Sequence, residues 1–161
     1  MPIKVGDKLP STTFRVMTAE GPKPKTTDEI FKGKKVALFA VPGAFTPTCS
    51  NLHMPSFLNN IDAFKAKGVD TVAVTSVNDP FVMKAWAEKT GGDGKIEFLA
   101  DGSAEFAKGV DMVLDATAGG LGIRSKRYSM LVDDGVVKQI NIEEAPGKCE
   151  VTGGQALLGQ I

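Results

Sequence analysis

The sequence predicts an α/β fold: a mixed central β-sheet flanked by helices on both faces, with an N-terminal extension, in a single domain over residues 1–161. Three observations predict it. The apolar run at 36–41 lacks the alternation of a half-exposed strand, so it belongs at the centre of a sheet covered on two sides. From there to residue 108, β-prone and helix-periodic segments alternate, which implies parallel pairing with right-handed crossovers. Near the carboxyl end two β-prone runs flank Asp133-Asp134-Gly135, a strong hairpin signal, so an antiparallel ribbon joins the parallel part.

Taken in order, Met1 to Pro10 is a polar entry with turn residues, and Ser11 to Thr18 alternates as a short strand. Glu20 to Thr27 carries two prolines and reads as an exposed loop, and Asp28 to Phe31 as one helical turn. After the central strand, Ser50 to Lys67 has apolar residues at helical spacing, with Leu58, Ile61, Ala63 and Phe64 as its buried stripe. Pro55 cannot donate to residue 51 and is expected to kink this helix, which Gly68 stops. Val69 to Val77 is the next strand. Asn78-Asp79-Pro80 opens a helix from Phe81 to Lys89, with Phe81, Val82, Ala85 and Trp86 facing inward. Ile96 to Ala100 is a short strand, and Ser103 caps a helix running to Lys108. Residues 110–123 carry three glycines and read as a loop or short helix. Arg127 to Val132 and Val136 to Ile142 form the hairpin, and Thr152 caps a last helix through Leu158. The outline is thioredoxin-like.

Charge excludes some functions. Lys plus Arg and Asp plus Glu are 19 each, so no global field draws the chain to nucleic acid or to an acidic membrane. No apolar run approaches a membrane span, and MPIKVGDKLP lacks a signal-peptide core, so the expected location is the cytoplasm. Two cysteines are too few for a disulfide framework, in keeping with a reducing compartment. No Cys/His cluster has zinc-site spacing, and the glycine clusters at 91–94 and 119–122 lack phosphate-loop partners. Neither a metal nor another cofactor is expected.

The chemistry concentrates in Val41-Pro42-Gly43-Ala44-Phe45-Thr46-Pro47-Thr48-Cys49-Ser50, a strand-to-helix turn. Thr46 suits the N-cap and Pro47 the first helical position. Cys49 then falls in the first turn, where free N–H groups and the helix dipole favour an anion, and the thiolate is the nucleophilic form. A reachable, reactive cysteine is the expectation. The competing reading, a small buried apolar residue, is common for cysteine.

This stretch resembles the peroxidatic signature of the peroxiredoxins, Pro-x-x-x-Thr-x-x-Cys, with Pro42, Thr46 and Cys49 in place. Gly43-Ala44-Phe45 and the later Lys126 to Met130, KRYSM, resemble its Prx5 or type II group. The resemblance implies reduction of hydrogen peroxide and organic hydroperoxides through a sulfenic acid at Cys49, in antioxidant defence, and a homodimer. It also assigns roles. Thr46 would hydrogen-bond the peroxide, Arg127 would stabilise the thiolate and orient the substrate, and Pro42 would shield the sulfur. Without it, Arg127 has no claim over Arg124, which is retained as a supporting or dimer-surface residue, and Arg127 with its neighbour Lys126 reads as a solvated basic pair. Many members of the group carry a resolving cysteine near the carboxyl end. Cys149 lies two positions out of that register, about 7 Å along a strand, so resolving and structural readings both stand. The expected reductant is glutathione with glutaredoxin, favoured slightly, or thioredoxin.

Two other functions are carried. His53, the only histidine, follows Cys49 by four residues on one helix face, the pattern of a cysteine hydrolase or acyl transferase. No third residue evidently orients the ring, and a supporting role suits it better. A dithiol oxidoreductase normally needs Cys-x-x-Cys, and Thr46 occupies the first of those positions.

Overall fold

The computed structural model describes residues 1–161. Nine strands form a seven-stranded mixed sheet and a separate two-stranded ribbon. The strands are β1 (Thr13–Thr18), β2 (Gly21–Thr26), β3 (Lys35–Ala40), β4 (Thr71–Ser76), β5 (Glu97–Ala100), β6 (Val113–Ala116), β7 (Gly122–Ser125), β8 (Tyr128–Asp133) and β9 (Val136–Ile142). The sheet order is β2-β1-β5-β4-β3-β8-β9, with β3, β4 and β5 parallel and the outer pairs antiparallel. This is the mixed sheet that the alternating and hairpin patterns predicted.

Strand β3 lies inside the sheet between β4 and β8, and its alternate residues, with Val41 just beyond it, feed two cores. Ala37, Phe39 and Val41 join Met54, Phe57, Phe64 and Trp86 on one face, whereas Val36, Leu38 and Ala40 join Phe14, Phe31 and Phe106 on the other. The first face is covered by α2 (Met54–Leu58), α3 (Ile61–Ala66), α4 (Pro80–Thr90) and α6 (Gly154–Leu158); the second by α1 (Thr27–Phe31) and α5 (Glu105–Gly109). Burial on two sides is why β3 reads as an unbroken apolar run.

Several elements differ from expectation for identifiable reasons. The loop at 20–27 is the edge strand β2, in which Pro22 and Pro24 are tolerated because an edge strand leaves one row of N–H groups unpaired. Residues 110–123 hold the β6–β7 ribbon around a short 3-10 turn, Thr117–Gly119. Ser103 does not cap α5. The Asp101 carboxylate does, accepting from Phe106 N and Ala107 N at 3.0 Å each. Helix α4 buries Met83, Trp86 and Ala87, while Phe81 is 65% exposed and Ala85 also faces out. Thr152 is not the cap of α6; Gly153 holds that position, and the Thr152 hydroxyl is engaged elsewhere.

The helix after Cys49 departs most. Helical backbone begins at Pro47, runs as a π-helix over Cys49–His53, continues as α2, breaks at Asn59–Asn60 and resumes as α3. Met54 N–H bonds to Cys49 O, one residue further back than in an α-helix. Pro55 has no N–H to offer, and the wider π-turn before it absorbs the mismatch that a kink would otherwise take up. Of the expected stripe, Phe64 is buried, Leu58 and Ile61 are half-buried, and Ala63 is exposed.

Candidate active site

The site lies where β3 ends, at the carboxyl end of the parallel strands, the usual edge for function in such sheets. Register explains its long-range contacts. Ala40 pairs with Tyr128 across β3 and β8, so Arg127, 78 residues beyond Cys49, stands opposite the start of the cysteine turn. Tyr128 in turn pairs with Ile142, and Glu143 N–H bonds to Arg127 O at 3.0 Å.

Arg127 is 2% exposed, and four of the five N–H groups of its guanidinium are engaged. One terminal nitrogen donates to Cys49 Sγ at 3.1 Å and to Pro146 O at 3.0 Å; the other meets His53 Nδ1 at 2.9 Å; Nε donates to Pro146 O at 3.3 Å. Guanidinium has no acceptor, so His53 Nδ1 must be the bare nitrogen and Nε2 carries the proton, donated to Thr152 O at 2.9 Å. The ring packs at a tilt against the stacked pair Phe39 and Phe57, with centroids 4.9 and 5.6 Å away. Burial first, and the adjacent Arg127 charge second, push its pKa down to about 3, against a lesser upward pull from the Thr152 carbonyl. A neutral His53 turned toward Arg127 does not serve Cys49 as a base, so the cysteine hydrolase reading is set aside.

Folding therefore excludes a proton that the unfolded histidine binds below pH 6.5. The unfolded state holds more protons between pH 6.5 and about 3, so stability is lost as pH falls through that window, by about 1.4 kcal/mol per unit. Urea midpoints followed by Trp86 fluorescence are expected to drop from pH 6.5 to 4, with a shallower drop in His53→Gln.

Thr46 N–H and hydroxyl both turn back to Gly43 O, the hydroxyl at 2.7 Å, and Thr46 O accepts the first helical bond, from Ser50 N at 2.9 Å. It occupies the N-cap by backbone, but its side chain does not cap. The reason is the tight turn before it, in which Phe45 adopts φ 66°. Since its one proton is spent on Gly43, the Thr46 hydroxyl can only accept from a ligand. Pro42 is buried at the base of the turn, and Arg124 lies over it, donating to Pro42 O at 3.4 Å and Leu121 O at 2.9 Å. The Ala44 N–H is fixed by Asn78 Oδ1 at 3.0 Å.

Cys49 is 0% exposed, a correction to the expected open sulfur. The carboxyl-terminal turn is drawn against it, because Pro146 O takes N–H groups from Arg127 and Gly147 O takes the Thr48 hydroxyl at 3.0 Å. The sulfur is nevertheless not sealed in hydrocarbon, since it faces a guanidinium. Cys149 is half-buried, and both cysteines are free. Burial pushes the Cys149 thiol up, against smaller downward pulls from the Thr152 hydroxyl, 3.9 Å away, and from Arg127.

Sequence reasoning missed Glu143. Its carboxylate accepts the Thr152 hydroxyl at 2.7 Å and the N–H groups of Glu150, Val151 and Thr152 at 3.1 to 3.2 Å. Burial would raise its pKa, but these bonds outweigh that and hold it below the usual carboxylate range. Glu143 stands beside exposed Glu144, and no periodicity separates the two. No cluster of three or more His, Cys, Asp or Glu is placed to hold a metal ion, and no helix is long and apolar enough to cross a membrane.

Fold and site together define a domain of thioredoxin-like build with a buried cysteine held by an arginine at the end of its parallel strands. Residues 4–158 match the redoxin family. The chain is 51% identical over 133 residues to mitochondrial peroxiredoxin-2F of Arabidopsis thaliana, covering 83% of this chain and 66% of that one, so it spans about two thirds of that relative's length. It is 45% identical over 158 residues to peroxiredoxin-2C of Oryza sativa subsp. japonica, covering 98% and 97% of the two chains. The crystal structure of reduced Prx3 from Vibrio vulnificus in complex with hydrogen peroxide superposes with a TM-score of 0.93 at 47% identity, covering 98% of each chain. The chain belongs to the redoxin family, as a peroxiredoxin of the Prx5 or type II group, a class of thiol-dependent peroxidases.

Proposed function

We propose that this peroxiredoxin reduces hydrogen peroxide and organic hydroperoxides at Cys49. The observation that carries the reading is the 3.1 Å N–H···S bond from a buried guanidinium to that sulfur. The Cys49 thiolate attacks the terminal peroxide oxygen, a new S–O bond forms and the O–O bond breaks, and the departing oxygen leaves as alkoxide or hydroxide and takes up a proton. Cys49 becomes a sulfenic acid. Charge moves from sulfur onto oxygen, so a fixed cation is needed beside both, and Arg127 supplies it with no reorganisation. Thr46, limited to accepting, receives the peroxide O–H and so orients the attacked oxygen. Pro42 shields the sulfur from further oxidation, and Arg124 steadies the turn beneath it. Peroxide enters when the turn at 146–149 lifts from Arg127 and Thr48. The peroxide complex reported for the Vibrio relative supports the substrate class.

The sulfenic acid is cleared by glutathione with glutaredoxin, in the cytoplasm and in a homodimer. The upward-shifted Cys149 thiol supports an external reductant, since little of it is nucleophilic thiolate at neutral pH. NADPH-coupled turnover tests this. With glutathione and glutaredoxin, Cys149→Ser is expected to turn over like the parent and Cys49→Ser not at all. Turnover by thioredoxin alone, abolished by Cys149→Ser, would contradict the glutathione route and make Cys149 the resolving cysteine.

A further inference from the structure

We propose that Glu143 is a positioning residue for the peroxide reaction: its carboxylate fixes the 150–152 backbone, so that Thr152 O holds His53 in the tautomer that aims Arg127 at Cys49. Glu143 is 8% exposed, and one of its oxygens accepts from four donors, all on residues 150–152. No cation pairs with it, so nothing but this turn accounts for its charge being held in place. The segment it grips supplies the one acceptor on His53 Nε2.

The consequence follows from donor and acceptor counts. A guanidinium only donates, so it needs His53 Nδ1 bare, which requires the proton on Nε2. Thr152 O makes that tautomer the stable one. If the turn shifts, the Nε2 proton loses its acceptor, the Nδ1–H form gains ground, and a proton then faces a donor. Arg127 must move, and its bond to Cys49 Sγ moves with it. Glu143 touches neither sulfur nor peroxide, and acts through Thr152, His53 and Arg127 in turn.

The proposal rests on Cys49 being the peroxide-reducing sulfur, which the parent protein's own rate checks in the same experiment. The chain has one histidine and one tryptophan, so both reporters are unambiguous. Trp86 Nε1 donates to Ser50 Oγ at 3.0 Å, next to Cys49, and serves for stopped-flow fluorescence of peroxide reduction. Long-range proton–nitrogen spectra of the imidazole read the tautomer. Glu143→Gln is expected to slow Cys49 oxidation about tenfold and to shift the ring signals toward the Nδ1–H form, with the effect on rate largely absent when His53 is already Gln. Thr152→Val, which loses the 2.7 Å bond to Glu143 and the 3.9 Å contact to Cys149 Sγ but keeps the three backbone N–H bonds, is expected to move both readouts the same way by less, and stands in should Glu143→Gln fail to fold. A parent that reduces no peroxide sinks the functional reading. A parent that does, with variants that lose thermal stability but keep rate and tautomer, overturns the positioning role alone, and so does a change in either readout without the other.

Discussion

Arg127→Met is expected to slow oxidation of Cys49 by about a thousandfold, the upper end of what removing one preorganised donor at a developing charge costs. Methionine keeps much of the stem and fills the buried space, but it offers nothing to Cys49 Sγ, His53 Nδ1 or Pro146 O, the three groups Arg127 joins. Both states of the reaction lose by this. The starting thiolate loses its cation, and the oxygen taking up charge loses its donor. Folding should suffer less than activity, because replacing a buried charge by an apolar side chain relieves desolvation even as it leaves His53 without a donor. Arg124→Met is the matched control. Its donors go to Leu121 O and Pro42 O rather than to the sulfur, so its rate is expected to stay within about threefold of the parent. Stopped-flow Trp86 fluorescence distinguishes the two, and equal losses for both arginines would mean that the contact to Cys49 carries no special weight.

The largest stability effect is expected at Gly154→Ala. A Cβ there would lie 2.2 Å from Ser56 O, 2.8 Å from Ser56 C and 3.2 Å from Phe57 Cα, all backbone of α2. Backbone cannot step aside as a flexible side chain can, and α2 is held by Phe57, which stacks between Phe39 and Phe64 at 4.2 and 5.4 Å. Helix α6 must therefore lift, giving up the bond from Gly154 N to Ser56 Oγ at 3.0 Å and the packing of buried Leu157. The cost is about 3 kcal/mol, at the high end for overpacking, and lowers Tm by roughly 10 °C in a chain of this size. Because Thr152 lies just upstream, the same displacement loosens His53, and activity falls as well. Gly147→Ala, where a Cβ meets nothing within 4 Å, is expected to leave Tm unchanged, as differential scanning calorimetry would show.

What the sequence made legible follows from how local each feature is. The strand, turn and helix around Cys49 are set by neighbours in the chain, as are the parallel β3, β4 and β5 and the hairpin at Asp134-Gly135, whose φ values of 50° and 78° are those the tight turn demands. Strand β2 was hidden because two prolines suppress a strand signal unless the edge position is known. The β6–β7 ribbon was hidden because its three glycines mask a pairing that only the register reveals. At the site, Cys49, Thr46 and Pro42 share one turn and could be read together. Arg127 could be chosen over Arg124 only by family resemblance, since its approach to Cys49 depends on the pairing of β3 with β8. His53 read as a partner of Cys49 because four-residue spacing places two side chains on one face, but a π-turn lies between them and the ring turns to Arg127. Thr152 carries a helix-cap signature and spends its hydroxyl on Glu143, a buried acceptor that no local pattern discloses.

All of this depends on one sulfur, so the most direct measurement is mass spectrometry of reduced protein given one equivalent of hydrogen peroxide and a sulfenic-acid trap. The account predicts the trap on the Cys49 peptide, with Cys149 still a free thiol. Label on Cys149 instead, or peroxide left unconsumed with both thiols intact, would contradict it.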